Sequence, residues 1–159
     1  MRVEAGGAVP VAHASFVGLL VRARAAGVAG LPDRDFFILH DDVEYCMRLG
    51  CVGRIYLVPE SVVVHRDGSE SRPKGAGPAW KQYYSHRNRL LTLRRHAPTR
   101  WVRRAGYAWG ALYLARAVLR ALLFQEAKAV RVRLCWRAYR DGLRGLSGKT
   151  VVPGREGDA

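Results

Sequence analysis

Asp41 and Asp42, with Glu44 just after them and Arg48 four residues further, are where acidic side chains cluster inside an apolar frame. A carboxylate is the kind of group that can take a proton from a reacting hydroxyl. By residue type alone, though, the pair reads as a helix start. Asp accepts hydrogen bonds from the unpaired N–H groups there and suits the positive end of the helix dipole. Glu44 and Arg48 are four apart, a supportive pair on one helical face. Downstream, His65 ends a β-branched run and by itself reads as a surface histidine.

The elements that must position these residues follow from the local patterns. Phe36 to His40 is mostly bulky and apolar, a short strand or buried loop. Ser15 to Val21 reads as a buried strand with Gly18 inside it, and Arg22 to Val28 as a short helix. Leu31-Pro32-Asp33 is a turn. The Asp42 helix should stop at Gly50 or Gly53. Arg54 to Val58 and Ser61 to His65 are expected as two strands in or beside a sheet. Residues 1–14 are weakly patterned, and Arg66 to Pro78 reads as a mobile loop.

From Trp80 the chain turns to long helices, expected over 80–96, 101–124 and 126–144. Between Ala105 and Phe124 only Arg116 and Arg120 are charged. That length nearly crosses a bilayer, but two arginines and two glycines favour a helix lying in the interface, with Trp101, Tyr107, Trp109 and Tyr113 at headgroup level. In the last helix Val132, Trp136, Tyr139 and Leu143 form an apolar stripe beside Arg133, Arg137, Arg140 and Arg144. That pairing suits an anionic membrane surface.

Charge divides the 159 residues unevenly. Residues 1–79 hold nine basic and nine acidic side chains, whereas 80–145 hold sixteen basic and two acidic, a net of +14. A one-sided charge of this kind implies an anionic partner, lipid or nucleic acid. No nucleic-acid motif accompanies it, and nucleic acid is not the expected partner. Cys46, Cys51 and Cys135 are odd in number and lack zinc spacing, so they read as reduced thiols. The N-terminus shows no signal-peptide pattern.

Several separated pieces share one resemblance. They are Phe36-Phe37 with Asp41-Asp42-Val43-Glu44-Tyr45-Cys46-Met47-Arg48, then Ile55-Tyr56-Leu57-Val58-Pro59-Glu60-Ser61, then His65. To these add Gly18 to Arg22, Gly30 to Asp33, Tyr83-Tyr84 with Arg87-Asn88, and Asp141 to Gly145. Together they resemble the C-terminal part of glycosyltransferase family 2, in particular bacterial rhamnosyl- and galactofuranosyltransferases, over roughly residues 14–148.

The resemblance implies an α/β fold, the C-terminal part of a Rossmann-like GT-A domain, followed by basic amphipathic helices. It implies an inverting transfer of a sugar such as rhamnose or galactofuranose, from a nucleotide-sugar donor to a lipid-linked glycan acceptor, at the cytoplasmic face of the membrane. Asp42 would be the general base, Asp41 would shape the acceptor site, and Glu44 with Arg48 would hold the helix. His65 would join the ligands of a divalent metal, Mg or Mn, which offsets charge on the leaving nucleoside diphosphate.

The family's donor-binding half, with its Asp-x-Asp metal motif, is not matched. Asp33-Arg34-Asp35 has that spacing but reads as a solvated turn, and no Gly-rich phosphate loop follows a strand. The expected organisation is therefore an acceptor-side catalytic part over 1–79, a basic helical membrane-associated region over 80–145, and a flexible tail over 146–159. The chain would be a fragment or the partner of a separate donor-binding chain, inactive by itself. A non-catalytic protein of membrane surface or nucleic acid is the alternative.

Overall fold

The computed structural model describes residues 7–66 and 77–154. Its elements run β1 (Val9–Val11), α1 (Ala23–Ala29), a 3-10 turn (Arg34–Phe36), α2 (Asp41–Gly50), β2 (Ile55–Leu57), α3 (Ala79–His96), α4 (Arg100–Phe124) and α5 (Lys128–Arg144). They fall into two compact units. Among the described residues, one holds 7–33 and 41–66 and the other 34–40 and 77–154. The short segment 34–40 thus belongs with the long helices, a division that the expected boundary at residue 79 does not follow.

The α/β expectation is corrected. The fold is mainly helical, at 58% helix among the described residues, and the sheet described is a two-stranded antiparallel pair. In that pair Val9 faces Leu57, Pro10 faces Tyr56 and Val11 faces Ile55. β1 lies where irregular chain was expected, and β2 where a strand was expected. The other two expected strands do not form. A turn closed by Gly18 N–H to Ser15 O interrupts the Ser15 to Val21 run. Val62, Val63 and Val64 are 81%, 57% and 74% exposed. β-branched residues favour a strand only where a neighbouring strand and a buried face reward them.

In the first unit α2 follows its composition. Asp41, Asp42 and Glu44 occupy its first turn and Arg48 its last, each at the end that its charge suits. Tyr45, Cys46 and Leu49 form its buried face. Phe16 packs against Tyr45 with ring centroids 5.9 Å apart. The Cys46 Sγ accepts from the Ala14 N–H at 3.4 Å.

The second unit is built on α3, α4 and α5. α3 ends in Arg94, Arg95 and His96, cations that complement its C-terminus. Ala97 is extended because Pro98 follows it. The Thr99 hydroxyl then caps α4 by accepting from Val102 N–H at 3.2 Å. Leu114 and Ala121, seven apart, are the buried positions of α4. A core of Tyr83, Tyr84, Leu134, Ala138 and Val151 joins α3 to α5. Gly142 of α5 lets α3 come close: a Cβ there would lie 2.7 Å from Leu90 Cβ and 3.1 Å from the Arg87 carbonyl. Gly145, with φ of 80°, closes α5 by donating toward Asp141 O and Gly142 O.

Two further expectations change. The buried row of α5 is Leu134, Cys135, Ala138, Asp141 and Gly142, not the Val132 to Leu143 stripe, and Trp136 of that stripe is 61% exposed. Small residues at 135, 138 and 142 admit close helix packing, which a count of large apolar side chains overlooks. Residues 146–154 were expected within a flexible tail, yet Val151 is fully buried, and its N–H and C=O both bond the Tyr84 hydroxyl. The loop expected over 66–78 lies largely outside the described residues, as does the tail from 155.

Candidate functional site

Asp41 and Asp42 are half-buried in the first turn of α2. The Asp42 Oδ1 accepts from the Val43 N–H at 2.8 Å. The first N–H groups of a helix have no intrahelical partner, so a carboxylate there meets real donors and the positive end of the dipole. A carboxylate is the type of group that serves as a general base.

The next turn of α2 is braced. Glu44 is 2% exposed, and its carboxylate takes Nε and Nη2 of Arg48 at 3.0 to 3.1 Å. The same guanidinium donates to Ala29 O at 2.6 Å and Leu31 O at 3.1 Å, and lies 4.9 Å from the Tyr45 ring centroid. Arg48 thus fastens α2 to the chain that follows α1. A planar fork with five donors suits this work better than a lysine would.

His65 is exposed in the extended chain after β2. Among the described residues no three His, Cys, Asp or Glu side chains gather as a metal-holding group. The described residues therefore do not by themselves make a divalent-metal set. Asp35, of the Asp33-Arg34-Asp35 spacing, is exposed in the 3-10 turn, and its backbone carbonyl accepts from Gly148 N–H at 2.6 Å.

The feature that residue patterns did not single out is the second unit's hold on the chain just before Asp41. Phe37, Leu39 and His40 all have positive φ, at 66°, 64° and 63°. None is glycine, and such backbone costs about 1–3 kcal/mol per residue, persisting only where the surroundings over-determine it. Here they do. The Asn88 Nδ2 donates to Phe36 O, Ile38 O and Leu39 O at 2.9, 2.8 and 2.8 Å. Arg87 Nη2 donates to Asp35 O and Phe36 O, both at 3.3 Å, and its Nη1 reaches Gly148 O and Thr150 Oγ1. The Arg87 Nε in turn donates to Asn88 Oδ1 at 2.9 Å. Both side chains are fully buried.

A second layer supports this clamp. The Tyr83 hydroxyl donates to Asp141 Oδ2 at 2.9 Å, and its burial raises the phenol's pKa. Arg87 lies 5.5 and 4.8 Å from the rings of Tyr83 and Tyr84, and Phe37 packs on Tyr84 at 4.9 Å. The residues Tyr83, Tyr84, Arg87, Asn88, Asp141 and Gly142, drawn from two distant stretches, thus meet in one buried network. Polar types at buried positions are the sequence signal; Tyr84, Arg87 and Asn88 reach backbone carbonyls, which no side-chain pattern announces.

Beside the clamp, the His86 ring packs on Tyr113 at 5.3 Å. Burial first, then the charges of Arg89 and His40, lower its pKa to about 4, so it is neutral at physiological pH. Comparison with known proteins finds no matching family model, no matching curated protein and no matching solved structure.

Proposed function

We propose that the chain supplies the acceptor side of an inverting glycosyltransferase working at an anionic membrane, with Asp42 as the general base. The observation that carries this reading is the strained, clamped backbone immediately before a half-buried carboxylate pair. Three left-handed non-glycine residues in a run of four are costly, and such strain clusters at functional sites. In the proposed step the Asp42 carboxylate takes the proton of the acceptor hydroxyl as its oxygen attacks the anomeric carbon. The nucleoside diphosphate leaves from the opposite face with the bonding pair. Asp41 borders the acceptor, and Glu44 with Arg48 keeps the helix in place. A separate donor-binding half would bind the nucleotide sugar.

The membrane part of the proposal rests on α4. It is one helix of 25 residues that is long and apolar enough to cross a bilayer, and 11% of its apolar window is buried. Trp101, Trp109, Leu112, Leu119, Leu123 and Phe124 are more than half exposed along it. Such a face, with Arg116 and Arg120 among it, suits the interface between lipid and water. Membranes carrying the chain together with a donor-binding half should transfer sugar from a nucleotide sugar to a lipid-linked acceptor. Asp42→Asn should abolish that transfer with unfolding unchanged, and retained transfer would remove Asp42 from the role.

A further inference from the structure

We infer that the outward face of α5 is a phosphoryl-binding site that takes the phosphodiester of an anionic lipid headgroup; this rests on the membrane reading above and names its ligand. Arg133, Trp136, Arg137 and Arg140 line an open groove there. Their spacing of three, four and seven places them on one helical face, opposite the buried Leu134, Cys135 and Ala138. Arg137 and Arg140 share one carboxylate, Asp141, two guanidiniums to one acid, so the pair stays cationic.

Asp141 does more than offset charge. Its buried carboxylate lies 3.5 Å from Arg137 Nε and takes Arg140 Nε at 3.2 Å, while also accepting from Tyr83. Arg137 further donates to Thr150 O at 3.1 Å. The Arg137 and Arg140 guanidiniums are thus oriented before any ligand arrives. Each has five N–H donors, so a single Nε contact leaves Arg140 most of its capacity. The planar fork matches two phosphate oxygens, and positions a phosphodiester better than a point charge would.

Trp136 selects between anions. A free phosphate gains nothing from a 61% exposed indole beside the arginines, whereas a headgroup carries acyl chains into which the ring can dip. A nucleic acid could stack a base on the same ring. The exposed Leu119, Leu122, Leu123 and Phe124 on α4 of the same unit favour lipid, because a nucleic acid offers no apolar phase to cover them.

The test is flotation of the full chain with vesicles of phosphatidylcholine, alone or mixed with phosphatidylglycerol. The wild type should float with the mixed vesicles only, and Trp136 fluorescence, read by difference from Trp136→Phe, should shift to the blue. The Arg133→Ala/Arg140→Ala variant should bind about 25-fold more weakly, near fivefold for each arginine at an anionic surface. Because Arg140 touches Asp141, Arg133→Ala/Trp136→Ala serves as a second variant that spares that contact. Wild-type binding in both variants would overturn the groove while leaving the membrane reading in place. A wild type that ignores the mixed vesicles would overturn both, and binding to a single-stranded oligonucleotide but not to vesicles would reassign the groove to nucleic acid.

Discussion

Replacing Asn88 by Ala should release the segment 36–40, and the sizes of the opposing terms say why. Three left-handed non-glycine residues cost at least about 1 kcal/mol each, so roughly 3 kcal/mol resists the observed conformation. The Asn88 amide has two protons for three carbonyls, equivalent to two full hydrogen bonds, each worth about 1 kcal/mol net when buried. The two Arg87 contacts to this segment are long at 3.3 Å but charge-assisted, and add about 2 kcal/mol together. The clamp therefore exceeds the strain by only about 1 kcal/mol, and loss of Asn88 reverses the balance. Asn88→Ala should lower stability by about 2–3 kcal/mol, a large part of a domain's usual 5–15 kcal/mol. Amide hydrogen exchange at residues 38–41 should speed up far more than in α4. Urea unfolding with exchange read by mass spectrometry measures both. Unchanged protection at 38–41, with stability within about 0.5 kcal/mol of wild type, would refute the reasoning.

Other outcomes follow from particular contacts. Arg48→Ala removes the cation bonded to buried Glu44 and frees two carbonyls, so chemical denaturation should show a loss of about 2–3 kcal/mol, with the pair's partial exposure keeping it below a fully buried bridge. Gly142→Ala places a methyl against Leu90 Cβ and the Arg87 carbonyl, and should cost about 2 kcal/mol despite alanine's better helix propensity; Gly106→Ala meets only the movable end of Leu93 and should cost less, as paired melting curves would show. His86 is neutral in the fold because burial lowers its pKa from 6.5 to about 4. The stability that this supplies is whole above pH 6.5 and is lost as pH falls toward 4, by up to roughly 3 kcal/mol, and His86→Phe should flatten that part of the stability–pH curve.

The three long helices were legible because apolar periodicity, Pro98 and the terminal cations all agree on their positions. The start of α2 was legible for the same reason, since Asp41, Asp42, Glu44 and Arg48 sit where the helix dipole favours them. The sheet was misread. Val62, Val63 and Val64 have strand propensity, but propensity does not supply a partner strand, and the run stays exposed. The clamp was legible only as a set of residue types. Nothing in Arg87 and Asn88 says that their partners are the carbonyls of Asp35 to Leu39, nor in Tyr83 and Tyr84 that Thr150 and Val151 fold back to meet them. The face of α5 was misassigned because Ala138 and Gly142 are buried for closeness rather than for apolar area.

The account stands or falls most directly on Asp42. The measurement is transfer of radiolabelled sugar from a nucleotide sugar to endogenous lipid acceptor, in membranes that hold the donor-binding half and carry wild type or Asp42→Asn at matched levels. Loss of a general base lowers such a rate by about 10²–10⁴-fold. The account predicts labelled lipid with the wild type and a fall of that size with Asp42→Asn, at an unchanged melting temperature. Equal labelling by the two, or no labelling above membranes lacking the chain, would contradict it.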